Sequence, residues 1–183
     1  RLISYPALAG AIICISALRA GARVQATLWS GARQFHSTPG FVRDEQLLLG
    51  VLTGYFGGAT AFPIHVLRDT FAKRGPTAPP AHVLVISDDG VSTAFDDDER
   101  GTSGWDVMRS SLAKARGGGT FVLNLPTNWE RTTSGYNRAA FSAIREARDE
   151  LGIDVQRVAD WDELVAFARA FARKRYAEEP RGG

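Results

Sequence analysis

The sequence predicts an α/β protein in which a mostly parallel sheet carries helices on both faces. The run Val83 to Ile86 is aliphatic throughout and mostly β-branched, which is typical of a strand that is buried on both faces. A second apolar run, from Thr120 to Leu125, follows after one helical pattern. Strands that alternate with helices of this length imply parallel strands joined by right-handed crossovers, and therefore a three-layer, Rossmann-like arrangement.

The size and composition of the chain predict a single domain of ordinary globular kind. A chain of 183 residues can bury a substantial core. No internal repeat, linker or shift in composition divides it, so we predict one domain over residues 1–177 and a disordered tail over residues 178–183. The formal net charge of +2 is too small to predict a nucleic acid or a membrane surface as partner.

The first helix is predicted from Ser4 to Ala20, where Gly21 ends it, and we expect it to be buried against a sheet. Its apolar stretch, Pro6 to Leu18, is too short to cross a bilayer and has only Arg1 as a basic leader, which disfavours a signal peptide. The lone cysteine, Cys14, cannot form an internal disulfide, and its apolar helical surroundings favour an inert buried thiol. These features predict a cytoplasmic protein.

The remaining elements follow from hydrophobic periodicity and from helix-capping and turn residues. Early in the chain, Arg23 to Trp29 alternates like a strand, and Arg33 to His36 is a candidate return strand at an edge. Ser103 to Asp106 matches a capping box, which predicts a helix that begins there and runs to about Ala115. The other helices are predicted at Asp44–Tyr55, Phe62–Arg74, Asn137–Leu151 and from Asp160 to about Tyr176, and the last strand at Ile153–Val158.

Two carboxylates and a hydroxyl are candidates for one functional edge of the sheet. Asp88 and Asp89 directly follow the first buried strand, and open α/β sheets place their ligands at the carboxyl ends of strands. Upstream, the loop Gly57-Gly-Ala-Thr-Ala61 opens a predicted helix and can bring the Thr60 hydroxyl to the same edge. Oxygen donors of these two kinds suit a hard cation such as Mg²⁺. Two structural alternatives stay open, since threonine is also a good helix N-cap and Asp-Gly is a common turn pair.

These two loops, with the order of elements around them, resemble a von Willebrand factor A domain, in particular the bacterial intracellular type that works beside AAA+ ATPases. The family holds Mg²⁺ or Mn²⁺ in a metal-ion-dependent adhesion site. Its first loop carries Asp-x-Ser-x-Ser, its second a threonine and its third an aspartate. Here Gly57-Gly-Ala-Thr60 matches the second loop and Ile86-Ser-Asp-Asp-Gly90 matches the third. The resemblance implies that Thr60 and Asp88 are metal ligands, with Asp89 as the alternative carboxylate.

The family's first loop is missing from this sequence. No Asp-x-Ser-x-Ser stands before the first helix, and Ser4-Tyr-Pro-Ala would lie just after that motif. In the family, the strand that carries the motif lies between the counterparts of the Arg23 and His82 strands. We therefore expect an upstream segment that is absent here. In this N-terminally truncated domain, the Arg23 and His82 strands would pair directly or leave a gap.

The resemblance implies a non-enzymatic protein-interaction module. A metal ion with an incomplete coordination sphere would take its last ligand from an aspartate or glutamate of a protein partner. An AAA+ ATPase is a candidate partner, and neither nucleic acid nor membrane is expected. Two alternatives remain. One is a Mg²⁺-dependent Rossmann-like hydrolase or phosphatase that would use Ser30 or Asn124 beside the carboxylates, and the other is a scaffold of this fold that binds no metal.

Other polar and aromatic features have simpler interpretations. The run Asp96 to Glu99 could attract a basic partner, although a solvated loop is the simpler reading. Gly117-Gly-Gly119 precedes a strand rather than a helix, which is the wrong order for a phosphate-binding loop. Trp129, in the loop after Leu125, is the tryptophan most suited to touch a partner.

Overall fold

A computed structural model describes residues 4–54, 56 and 60–176 of the chain. The predicted Gly57-Gly-Ala stretch, the end of the predicted Asp44–Tyr55 helix and the predicted tail therefore lie outside the described residues. The elements are α1 (Tyr5–Arg19), β1 (Thr27–Trp29), β2 (Phe35–Ser37), α2 (Glu45–Leu52), α3 (Ile64–Ala72), β3 (Ala81–Asp88), α4 (Gly104–Ala115), β4 (Arg116–Asn124), α5 (Arg138–Leu151), β5 (Asp154–Val158) and α6 (Trp161–Tyr176).

The sheet that carries the candidate site consists of β3, β4 and β5, in that order, with all neighbours parallel. The register pairs Asp88 with Asn124 and Asn124 with Val158, so these three residues share the carboxyl end of the sheet. Helices α3, α4 and α5 are its flanking helices. The prediction of an α/β fold built on a parallel sheet is confirmed, because strands this apolar need helices to cover them.

The core of this sheet forms where the inward side chains of the strands meet the helices. Phe121 and Leu123 of β4 are fully buried and pack with Met108 of α4 and Ile144 of α5. Burying one such side chain contributes roughly 1.5–3 kcal/mol to stability. Strand β4 begins at Arg116, earlier than predicted, because glycine lets it approach β3 closely. A Cβ on Gly117 would lie 2.6 Å from the carbonyl carbon of Ala81.

Contacts divide the chain into two compact units. The first contains Arg1–Leu28, Phe35–Phe56 and Asp160–Gly183, and the second contains Trp29–Gln34 and Gly57–Ala159. The parallel sheet and the predicted site residues belong to the second unit. That the chain forms one domain over residues 1–177 stays a prediction.

In the first unit, α1 packs against α2 and α6. The helix begins at the N-cap Ser4, whose hydroxyl accepts a hydrogen bond from the backbone N–H of Ala7 at 3.4 Å. Gly21 follows it with φ +83°, the left-handed conformation that glycine adopts without strain.

Burial raises the pKa of the Cys14 thiol to about 11, so the thiol stays protonated at neutral pH. In the described ranges, the helices fall short of the length or the apolar character that a membrane span requires.

The predicted Arg23–Trp29 strand is shorter than expected and does not extend the parallel sheet. Its regular part is β1, which pairs with β2 in a separate two-stranded sheet, while Val24 and Val42 form an isolated antiparallel bridge. Of the two outcomes expected for the Arg23 and His82 strands, direct pairing is therefore not found among the described residues. A tight turn explains the difference, since the backbone N–H of Ser30 donates to the carbonyl of Gln34 at 3.0 Å and folds the chain back on itself.

Candidate functional site

The two predicted carboxylates lie at the carboxyl end of the parallel sheet. Asp88 is the last residue of β3 and is exposed. Asp89 is half-buried and opens a 3₁₀-helical segment, Asp89–Phe95, that the periodicity of the sequence did not predict. Asn124, the register partner of Asp88, ends the neighbouring strand and is exposed. Polar side chains of two adjacent strands therefore meet at one edge.

Thr60 and Asp88 converge on Gly90. A Cβ built on Gly90 would overlap the methyl group of Thr60, lie 2.7 Å from Thr60 Cβ and lie 2.8 Å from Asp88 Oδ1. Such distances are shorter than any ordinary contact of a side-chain carbon, so only glycine leaves room for both neighbours. The structure thus brings the threonine loop and the aspartate loop together at the edge where the sequence predicted both.

A half-buried network, which sequence reasoning missed, connects the segment that follows Thr60 to the segment that follows Asp88. The hydroxyl of Thr93 accepts a hydrogen bond from the backbone N–H of Phe62 at 2.8 Å and donates one to the carbonyl of Gly90 at 2.8 Å. On the other side, the backbone N–H of Ala61 donates to the carbonyl of Ser30 at 2.7 Å. The segment that follows Thr60 is therefore fixed between two loops. A threonine inside a short 3₁₀ segment gives no sequence signal for such a bridge.

The two structural alternatives for the site residues have different outcomes. Thr60 is not a helix N-cap, because α3 begins only at Ile64 and its N-cap is Pro63, which makes no side-chain capping bond. The turn alternative holds for Asp89-Gly90, which opens the 3₁₀ segment Asp89–Phe95. Asp88 caps this segment, since its Oδ1 accepts a hydrogen bond from the backbone N–H of Gly90 at 2.9 Å. The cap involves one carboxylate oxygen of Asp88, and Asp88 remains exposed.

Negative charge accumulates at this edge. Burial first, and then the neighbouring Asp88, raise the pKa of the Asp89 carboxyl above its ordinary value, against a smaller lowering by a backbone hydrogen bond. In the part of the chain that the structure describes, no ion pair is formed by Asp88 or Asp89. A bound cation would relieve the repulsion between the two carboxylates.

In a second acidic segment, Asp96–Glu99, the negative charge is compensated by an arginine and by backbone N–H donors. Arg68 of α3 forms ion pairs with Asp98, whose side chain is fully buried, and with Glu99 at 2.8 Å. Asp98 Oδ1 also accepts hydrogen bonds from the backbone N–H groups of Arg100 and Thr102, both at 2.8 Å. Burial would raise the pKa of Asp98, but these donors together lower it to about 2. The expectation of a solvated loop is wrong for Asp98, which instead anchors the segment.

The oxygen donors at this edge are of the types that a hard cation prefers, but they are few. Asp88 and Asp89 offer carboxylate oxygens and Thr60 offers a hydroxyl, which are ligand types that Mg²⁺ and Mn²⁺ accept. Over the described residues, no group of three or more histidine, cysteine, aspartate or glutamate side chains could hold a metal by itself. An ion at this edge would therefore depend on water and on donors from outside the described residues for much of its coordination sphere.

Trp129 is unsuited to the role of partner contact that its loop position suggested. Only 5% of the residue is exposed, and its ring packs edge-on against Phe141 with centroids 6.5 Å apart. The guanidinium of Arg145 donates to the carbonyl of Trp129 at 3.0 Å and so fixes the loop. The tryptophan belongs to the core because α5 passes beneath the loop, a tertiary contact that loop position alone does not reveal.

Searches against protein-family models, curated proteins and solved structures give no match for this chain.

Proposed function

We propose that this protein is a non-enzymatic interaction module that binds a carboxylate of a protein partner through a Mg²⁺ or Mn²⁺ ion. The ion would lie at the edge formed by Thr60, Asp88 and Asp89. One observation carries the proposal: side chains from two loops that are distant in sequence both lie against Gly90. The resemblance of the two loops to those of von Willebrand factor A domains also supports a metal site here. The same resemblance favours a Rossmann-like sheet of the type found in that family.

The residues of the chain would have separate roles at this edge. Asp88 and Asp89 supply negative charge, and over the described residues neither forms an ion pair. Burial, and then the charge of Asp88, raise the pKa of Asp89. The Thr60 hydroxyl supplies a neutral oxygen donor. Gly90 keeps the two loops close, and Thr93 holds them in place through its two hydrogen bonds. When bound, the metal would supply a positive charge with exchangeable positions for an incoming carboxylate.

Binding of Mn²⁺ to the chain tests the metal site. Electron paramagnetic resonance counts free Mn²⁺ directly, and thermal unfolding measures the accompanying rise in Tm, which mass action requires of a ligand that binds only the folded state. We expect Asp88→Asn and Asp89→Asn each to lose most of the bound Mn²⁺ and most of the rise in Tm. Thr60→Ala should lose less, because it removes a neutral ligand.

Asp154→Asn is the matched control. Asp154 is exposed and begins β5, so it lies at the amino end of the parallel sheet, away from the candidate edge. This variant changes the net charge as much as Asp88→Asn does, and we expect it to bind Mn²⁺ like the unaltered chain. If both variants lost the same amount of bound Mn²⁺, the binding would depend on the net charge of the chain alone, which would contradict a site at Asp88.

The partner carboxylate is tested with peptides. With Mg²⁺ present, peptides that contain aspartate or glutamate should bind, and the same peptides with asparagine or glutamine should not. Binding should disappear on chelation of the metal and in Asp88→Asn. An AAA+ ATPase is the partner class that the resemblance suggests, and co-purification of such a protein only when Mg²⁺ is present would support that part of the proposal.

A metal-dependent phosphatase is the second candidate, favoured by one observation. Asn124 ends the strand next to Asp88, so an amide lies beside the carboxylates where a phosphorylated substrate could bind. A screen with phosphorylated compounds and Mg²⁺ separates the candidates. Turnover that Asp88→Asn abolishes would replace the interaction module by a hydrolase, whereas metal binding without turnover supports the module.

A further inference from the structure

We propose that a groove between α1 and α6 binds a small phosphate-bearing molecule, at a site separate from the acidic edge. The groove has a volume of about 380 Å³. Three arginines line it, Arg19 from α1 and Arg169 and Arg173 from α6, together with Tyr176 and an apolar floor of Ile12 and Ala172. Both helices belong to the first unit of the chain.

The packing of the two helices brings the arginines together. Tyr5 and Trp161, at the amino ends of α1 and α6, stack with ring centroids 5.1 Å apart. Arg19 and Arg173 lie near the carboxyl ends and line the same groove, so the two helices run parallel. Arg169 and Arg173 are four positions apart and therefore share one face of α6.

The positive charge of the groove has little opposition. The sequence of α1 contains no acidic residue, and α6 contains none after Glu163. Over the described residues, no ion pair involves Arg19, Arg169 or Arg173, whereas Arg68 and Arg148 both pair with carboxylates. Like charges held close together destabilise a fold by mutual repulsion, so a bound anion would stabilise this arrangement.

Helix dipoles explain only part of this pattern. Basic residues in the last turn of a helix interact favourably with its negative end, which accounts for Arg19 and Arg173. The effect falls off within one turn, and Arg169 lies well before the last turn of α6. Arg169 is exposed, and the helix dipole does not account for its place in the groove beside Arg19 and Arg173, where it can donate to a bound anion.

The chemistry of the lining side chains selects phosphate among anions. A guanidinium presents parallel N–H donors that match two oxygens of one phosphate group, and three guanidinium groups suit a diphosphate better than a single carboxylate. Tyr176 is half-buried, and burial raises the pKa of its phenol, so the hydroxyl stays protonated and can donate to a phosphate oxygen. The apolar floor would contact the uncharged part of a phosphorylated small molecule.

Inorganic pyrophosphate is the probe for this site, and it is titrated into the unaltered chain. Titration calorimetry and Tm measurements are made at constant ionic strength, with chloride as the reference anion, since chloride reproduces screening but not bidentate hydrogen bonding. We expect pyrophosphate to raise Tm and to bind at one site. The variant Arg173→Gln should raise the dissociation constant by roughly tenfold or more, as the loss of charged hydrogen-bond donors implies.

Lys174→Gln is the matched control, because Lys174 lies beside Arg173 on α6, is exposed and does not line the groove. It should bind pyrophosphate like the unaltered chain. The proposal would be overturned if Lys174→Gln weakened pyrophosphate binding equally, or if chloride produced the same rise in Tm. Either result would mean that the anion responds to the general positive charge of α6 and not to a defined site. Retention on phosphatidic acid vesicles without any effect of pyrophosphate would also overturn it, since the anion source would then be a membrane surface.

Discussion

Asp88–Asp89 and Asp96–Glu99 are two acidic segments of the same unit with opposite electrostatic environments. Asp98 is buried, ion-paired with Arg68 and hydrogen-bonded by two backbone N–H groups, and its pKa falls to about 2. Asp89 is half-buried beside Asp88, and its pKa rises. The difference distinguishes a carboxylate that stabilises the fold from the two carboxylates of the proposed cation site. A carboxylate whose donors come from the protein stabilises the fold, and a carboxylate pair without a cationic partner can bind a cation.

The largest expected effect comes from Gly104, which packs beneath the anchored segment. A Cβ at Gly104 would overlap the carbonyl oxygen of Ala94 and lie 2.8 Å from Phe95 Cα, both of them backbone atoms that cannot move alone. Gly104→Ala should lower the free energy of unfolding by about 3 kcal/mol, measured by urea denaturation. Gly75→Ala is the control, because a Cβ there meets nothing within 4 Å. Equal stability of the two variants would mean that this part of the molecule is not rigid.

Asp98→Asn should have the next largest effect, a fall in Tm of roughly 5 °C at neutral pH. The substitution leaves Arg68 without its buried partner. Since the folded pKa is about 2 and the ordinary value is 3.8, Asp98 stabilises the fold above pH 4, and this contribution is lost as the pH falls from about 4 to about 2. The unfolding free energy of Asp98→Asn should therefore fall less steeply across that window. An unchanged pH profile would contradict the anchoring role.

Gly90→Ala should cost less stability than Gly104→Ala and should act on the site. The added methyl group would meet the exposed side chains of Thr60 and Asp88 rather than backbone atoms. We expect a loss of about 1 kcal/mol in unfolding free energy, together with weaker Mn²⁺ binding, because the two loops are pushed apart. Mn²⁺ affinity that survives this change would separate Thr60 from the metal site.

The smallest expected effect is that of Asp89→Asn on stability, and its sign is opposite to that of Asp98→Asn. Because the folded pKa of Asp89 is raised, the ionised carboxylate opposes folding, and stability is lost as the pH rises through the raised pKa. At pH 7 the variant should be equal to the unaltered chain or slightly more stable, since solvent screens much of the repulsion at a half-buried carboxylate beside the exposed Asp88. Urea denaturation at pH 7 measures this, and a clear loss of stability would indicate that Asp89 has a structural role.

The sequence was informative wherever local pattern decides structure. The end of β3 at Asp88 and the bounds of α1 and α5 follow from apolar runs, caps and glycines, and the structure agrees with them to within a few residues. The α4 helix also begins where a capping box predicted it, although the Ser103 side chain makes no capping hydrogen bond. Gly104 N–H donates instead to the carbonyl of Asp96 at 2.8 Å.

What the sequence could not reveal depends on contacts between distant residues. As sequences, Asp88–Asp89 and Asp96–Glu99 are both short acidic runs. Arg68 on α3, together with the backbone N–H groups of Arg100 and Thr102, distinguishes them in the fold. The Thr93 bridge is hidden for the same reason, because a hydroxyl in a short segment carries no periodic signal. β1 pairs with β2 across the turn that the Ser30–Gln34 hydrogen bond closes, and the alternating pattern of β1 does not show which strand it pairs with.

The pKa values of the aspartate carboxyl groups, measured by carbon-detected NMR with and without Mg²⁺, test the central claim most directly. Without metal, the pKa of Asp89 should lie above its ordinary value and that of Asp98 near 2. Mg²⁺ should lower the apparent pKa of Asp89 and leave that of Asp98 unchanged, since only Asp89 lies beside the proposed ion. If Mg²⁺ leaves Asp89 unchanged, or moves both groups equally, the edge at Asp88 and Asp89 is not the metal site.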